Sequence, residues 1–160
     1  VCLLDVLTIT SVSCVPPFSQ AAGIAALQLD RPYRDERMAE FRHKVELLVS
    51  GLNKIKGVSC LMPGGTFYVF PSVQPICLTY GITSHGLALY LLEGADDHVG
   101  VACLGGECFG AAGEGFLRLS CAEPDERLRQ ALAFIGEAVR RRERVELYLS
   151  KHPEHRRSEL

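Results

Sequence analysis

What the sequence lacks narrows what the protein can be. No apolar run approaches the roughly 18 residues of a membrane-spanning helix. The first ten residues are apolar, but Asp5 interrupts them and no basic stretch precedes them, so no secretory leader is expected. The net charge of −2 gives no global pull toward nucleic acid or anionic lipid. None of the seven cysteines forms a C-x-x-C pair, and the expectation is reduced, mostly buried thiols in a cytosolic protein. No serine occupies a nucleophile elbow, no carboxylate pair stands out for acid–base work, and no internal repeat is present. Lysine is scarce: only Lys44, Lys54, Lys56 and Lys151. An initiating methionine is missing too, since the chain opens on Val1, which points to a fragment, a trimmed chain or an unusual gene start.

What is present suits one globular domain. The chain has 160 residues, 48% hydrophobic and 22% charged, and a chain of this size buries roughly 70% of its unfolded surface. Residues 1–10 are compatible with extended structure. Pro16 and Pro17 stop that segment, and Pro17 can open an alanine-rich helix over 18–29. After Pro32, the apolar residues Met38, Phe41, Val45, Leu48, Leu52 and Ile55 recur at helical spacing, a single stripe for core packing. Lys54 and Lys56 suit that helix's C-terminal end, and Gly57 suits a left-handed cap.

Residues 58–61 and 66–70 read as two strands of a hairpin turned by Pro63-Gly64-Gly65, and 71–82 as a loop. Thr83 or Ser84 can cap a helix running to about Glu93, with Leu87, Tyr90 and Leu91 on one side. Residues 99–104 read as an apolar strand. Pro124 opens a last helix striped by Leu128, Leu132, Ile135 and Val139, with Arg140, Arg141, Arg142 and Arg144 on a solvated face of its later turns. That arginine run lacks the interleaved aromatics or glycines of a nucleic-acid patch. Residues 151–160 are polar and expected to fray. The order is an α+β, sandwich-like fold, a small, mostly antiparallel sheet against helices.

The chain is organised around residues 110–122, a glycine-rich loop feeding a short strand. Alternation puts Phe116, Arg118 and Ser120 on one face and Leu117, Leu119 and Cys121 on the other, which reads as core. On the residues alone Arg118 has two readings. It is either an edge-strand arginine facing solvent, or a partly buried cation that requires an anion, for which a carboxylate suits its planar fork. The loop 105–115 is not a phosphate loop. Gly105 and Gly110 have the P-loop separation, but Ala111 and Ala112 stand where lysine and a hydroxyl residue belong; a flexible or tight backbone passage is expected. Cys103 and Cys108, with His98 the one nearby histidine, fall short of a metal set and read as structural thiols. His152 and His155, in the tail, read as an incidental pair.

Four segments in order nevertheless resemble a known family. They are Ser13-Cys14-Val15-Pro16-Pro17-Phe18-Ser19-Gln20-Ala21-Ala22; the helix ending Leu52-Asn53-Lys54-Ile55-Lys56-Gly57-Val58; Pro63-Gly64-Gly65-Thr66-Phe67-Tyr68-Val69-Phe70; and residues 113–120. Together, over most of residues 11–139, they resemble the C-terminal part of a class I/II pyridoxal-phosphate aminotransferase. The resemblance implies the small domain of fold type I over 17–150, a remnant of the large domain over 1–16 and a polar tail over 151–160. It implies that Arg118 grips the substrate α-carboxylate and that Phe109 borders the substrate pocket. It also implies pyridoxal 5′-phosphate in the intact enzyme, held by a large domain that supplies the Schiff-base lysine. No lysine here matches that motif, so no catalytic residue, no metal site and no cofactor on this chain itself are expected. The implied partners are an amino acid and a 2-oxo acid, the large domain and a second copy in a homodimer, in a cytoplasmic biosynthetic enzyme. The alternative is a non-catalytic remnant acting as a binding or dimerisation module.

Overall fold

The computed structural model describes residues 6–7, 11, 14–29 and 31–157. The chain divides into two units, Val1–Ala39 and Glu40–Leu160. In the first, α1 is Pro17–Leu29 and α2 begins at Arg31, running to Leu52 in the second. The Pro16 carbonyl accepts the amides of Ser19 and Gln20 at 3.0 and 3.1 Å, so the proline pair starts α1 as expected. Phe18, Ile24 and Leu27 of α1 are exposed, as is Met38, which leaves the apolar stripe read from the sequence. Val6 and Leu7 are helical rather than extended; the rest of 1–10 lies outside the described residues.

In the second unit the stripe of α2 is core: Val45, Leu48, Val49 and Leu52 are buried. The helix ends at Leu52, so Lys54 and Lys56 lie beyond it and Gly57, with φ 87°, closes the following turn. The sheet has three strands in the order β1-β3-β2, all antiparallel: β1 Tyr68–Val69, β2 Leu104–Gly105 and β3 Leu117–Ser120. Tyr68 pairs with Ser120 and Leu104 with Arg118. The expected 58–61/66–70 hairpin does not form. The first segment keeps a single bridge, Ser59 to Ser72, because the Asn53 side chain occupies Cys60, accepting its amide at 2.8 Å and donating to its carbonyl at 2.9 Å. β1 is thereby left to pair with β3. The expected strand over 99–104 shrinks to β2.

The segment read as a loop over 71–82 contains helix α3, Gln74–Tyr80, opened by Pro75 and closed by left-handed Gly81. Seven residues are too few for helical periodicity to register, and the prolines suggest a loop. Helix α4, Ser84–Leu89, is capped by the Thr83 side chain, which accepts the Gly86 amide at 2.9 Å, and passes into a π turn over Tyr90–Gly94. Leu87, Tyr90 and Leu91 are fully buried.

The last helix of the sequence reading is two: α5, Asp125–Ala138, and α6, Arg142–Lys151. Two tyrosines, buried Tyr90 and half-buried Tyr80, cause the break. Tyr90 donates its hydroxyl to the Ala138 carbonyl at 3.0 Å and Tyr80 to that of Val139 at 2.8 Å, taking up acceptors that a continuing helix would use. The arginines are not merely solvated. Arg141 donates to the Ala95 carbonyl at 3.0 Å and pairs with Asp96, while Arg144 donates to the Gly94 carbonyl at 3.0 Å and pairs with Asp97.

The tail is not frayed as far as residue 157. A 3-10 turn, Pro153–His155, follows α6; Arg156 bridges Ile82, and Arg157 pairs with Glu114 at 2.8 Å. Residues 158–160 lie outside the described residues. No described helix is long and apolar enough to cross a membrane.

Candidate substrate site

β3 is the central strand, so the edge-strand reading of Arg118 fails. Its alternation is as read: Leu117 and Leu119 are buried, Arg118 is half-buried and Ser120 exposed. Continuing the β1 register puts Tyr68 and Phe70 on the same outer face as Arg118. The guanidinium carbon lies 4.3 Å from the centroid of the Tyr68 ring and 4.8 Å from that of Phe109. Phe70 extends the aromatic surface, edge-on to Phe109 at 6.1 Å and stacked on Phe116 at 5.2 Å. Such cation–ring contacts contribute on the order of 0.5–2 kcal/mol each. The ion pairs among the described residues engage Arg34, Arg42, Arg141, Arg142, Arg144 and Arg157, and none engages Arg118.

The loop that brings Phe109 to this face is the glycine-rich one, and it is a tight passage. It folds as two 3-10 turns, Gly106–Phe109 and Ala111–Gly113. A Cβ on Gly106 would stand 2.0 Å from the Gly113 carbonyl oxygen, and one on Gly113 equally close to that of Gly106. Only glycine lets the two turns meet. The loop is then anchored to the start of α4. Ser84, 1% exposed, accepts the Gly115 amide at 2.9 Å, and Glu107 accepts the His85 amide at 3.1 Å. Burial opposes the Glu107 charge, but hydrogen bonds from the Ser84 hydroxyl and from backbone amides outweigh it and hold the carboxyl below its ordinary range.

Arg118 and Phe109, both singled out in the sequence, are thus brought together. Tyr68, Phe70 and Glu107 were not singled out for this site, and Ser84 only as a possible helix cap. The alternation within 66–70 carries a signal for Tyr68 and Phe70, but which strand they would lie beside depends on a pairing that the local pattern does not reveal.

No family model matches the chain. It is 34% identical over 137 residues to the aspartate aminotransferase of Rhizobium meliloti, a match covering 81% of this chain and 32% of that one. The crystal structure of the Rhizobium meliloti aspartate aminotransferase superposes with a TM-score of 0.68 at 32% identity, covering 85% of this chain and 34% of that one. The aromatic aminotransferase of Pyrococcus horikoshii OT3 superposes with a TM-score of 0.70 at 28% identity, covering 86% and 35%. Its homologues are aminotransferases of the fold type I superfamily, and the chain matches a part of them. It spans about a third of the length of the curated relatives it matches.

Aminotransferases of this fold use pyridoxal phosphate, whose covalent anchor is a lysine amine held where it can lose its proton. In this chain Lys54, Lys56 and Lys151 are exposed and Lys44 is half-buried on α2. None is buried, so these residues do not fit the anchor. Cys60, Cys77 and Cys121 are buried, and burial pushes the half-buried Cys103 up to about 12, far from a reactive thiolate. Cys14 and Cys108 are exposed.

Proposed function

We propose that this chain supplies the substrate-carboxylate half of a pyridoxal-phosphate aminotransferase site, the cofactor being held by a separate large domain. Arg118 receives the α-carboxylate of an amino acid and of the corresponding 2-oxo acid through two parallel N–H···O bonds, and Phe109 borders the pocket while stacking on the guanidinium. The carrying observation is a half-buried guanidinium over two aromatic rings, with no carboxylate among the described residues paired with it. An arginine cannot escape that position by losing its proton, so an external anion completes it. The outer face of the sheet is the side to be covered by the large domain, and a homodimer in the cytoplasm is the assembly this reading carries.

The two-bond geometry has a direct kinetic test. In the protein that joins this chain to its cofactor domain, Arg118→Lys keeps the charge but loses the fork. KM for the 2-oxo acid should rise by about tenfold or more, the equivalent of one charged hydrogen bond. An unchanged KM would remove Arg118 from the substrate. The chain alone should show no saturable one-to-one absorbance change on titration with pyridoxal phosphate; such a change would return the cofactor anchor to this chain.

A further inference from the structure

His152 and His155 gain a new setting from the folded tail. Pro153 helps fix the 3-10 turn between them, and the turn is fastened at its end, where the His155 carbonyl accepts the Thr83 amide at 2.9 Å. His155 packs against Gly86, where an added Cβ would approach its own Cβ to 2.5 Å. Its side chain is only 12% exposed. Tyr148 of α6 stacks on His152 at 4.5 Å and on His155 at 5.9 Å, and His85 meets His155 edge-on at 5.8 Å. The rings are therefore held in place before any ligand arrives.

Between them stands Glu154. Its Oε1 lies 3.2 Å from His152 Nδ1 and 3.8 Å from His155 Nε2, and ligand atoms of all three residues lie within 4.8 Å of one another. A tetrahedral ion with bonds of about 2.0–2.1 Å sets its ligands roughly 3.4 Å apart. To close on one centre the longest separation must shorten by up to about 1.4 Å, shared between the side chains. We propose that His152, Glu154 and His155 form a site for one divalent first-row transition cation, with water in the remaining positions. Two imidazoles and one carboxylate suit zinc, cobalt, nickel or copper, whereas magnesium and calcium require mostly oxygen. The bound ion clasps the tail. The next residues, Arg156 and Arg157, reach Ile82 and Glu114, so the clasp extends to the glycine-rich loop.

The chain's many thiols are the obvious competitors, so the probe is Co2+, whose spectrum separates nitrogen and oxygen ligands from sulfur. The metal-free, fully reduced chain should take up one equivalent of Co2+ by calorimetry. It should show ligand-field bands without a thiolate-to-cobalt charge-transfer band, and its thermal midpoint should rise. Glu154→Gln and His152→Ala alter exposed or half-exposed side chains and should leave the circular dichroism unchanged. Losing even an outer partner of a metal ligand costs about 10–100-fold in affinity, so losing a ligand should cost at least as much. A thiolate band at the first equivalent, equal affinity in parent and variants, or no uptake by the parent would each overturn the proposal.

Discussion

The two faces of β3 are built from alternate residues of one four-residue strand, yet they are organised differently. Inward, Leu117 and Leu119 join a continuous core with Val69, Leu87 and Leu48. Outward, Arg118 and Ser120, with Phe116 just before the strand, stand beside Tyr68, Phe70 and Phe109, and the Phe70 and Phe109 rings are exposed. The inner face is closed by the chain itself. The outer face carries a cation that sits over two rings and that no described carboxylate neutralises. A strand whose purpose was only packing would not need a central arginine, and a merely solvated arginine would not need two rings. The difference separates residues that make the fold from residues the fold presents.

Substitutions on the two faces should separate in the same way. The largest loss of stability is expected inside: Leu117→Ala, at a side chain 2% exposed, should cost about 2–5 kcal/mol in chemical denaturation. A midpoint within error of the parent would contradict the assignment of that face to the core. A smaller loss is expected where the loop is seated. Gly106→Ala places a methyl 2.0 Å from a backbone carbonyl that has no flexible end to move, so the two turns must part. The cost is about 1–3 kcal/mol. Because the Phe109 turn shifts with them, substrate KM should also rise. Loss of stability with an unchanged KM would detach the loop from the site.

Much of this was legible in the sequence, and what was not has identifiable causes. Two-residue alternation through residues 116–121 gave both faces of β3, and the helical stripe from Val45 to Leu52 gave the core face of α2. The partner of β1 was not legible. It depends on Asn53 occupying Cys60, a side-chain event with no periodic signature. Nor was the division between α5 and α6, because the apolar stripe runs through it and the break is made by Tyr80 and Tyr90, nearly 60 and 50 residues upstream. The tail looked frayed because it is polar. It is ordered by pairing with residues 81–83 and Glu114, contacts invisible to any local reading. At the candidate site, Arg118 and Phe109 were named from the sequence, whereas Glu107 was not and Ser84 was named only as a possible helix cap, because their anchoring of the loop rests on contacts distant in sequence.

The most direct measurement of the central claim is made on the outer face with one variant and two substrates. Arg118→Ala removes stacking but no core contact, so its stability should fall by no more than about 1 kcal/mol, the scale of a partly exposed cation–ring contact. In the protein joined to its cofactor domain, kcat/KM for an amino acid substrate should fall by roughly a hundredfold or more, the equivalent of about 3 kcal/mol for a two-bond charged interaction. The same variant should act on an amine of similar size lacking the carboxylate at close to the parent rate. Equal losses for the amino acid and the amine, accompanied by a large fall in stability, would show that Arg118 supports the fold and does not bind the substrate carboxylate.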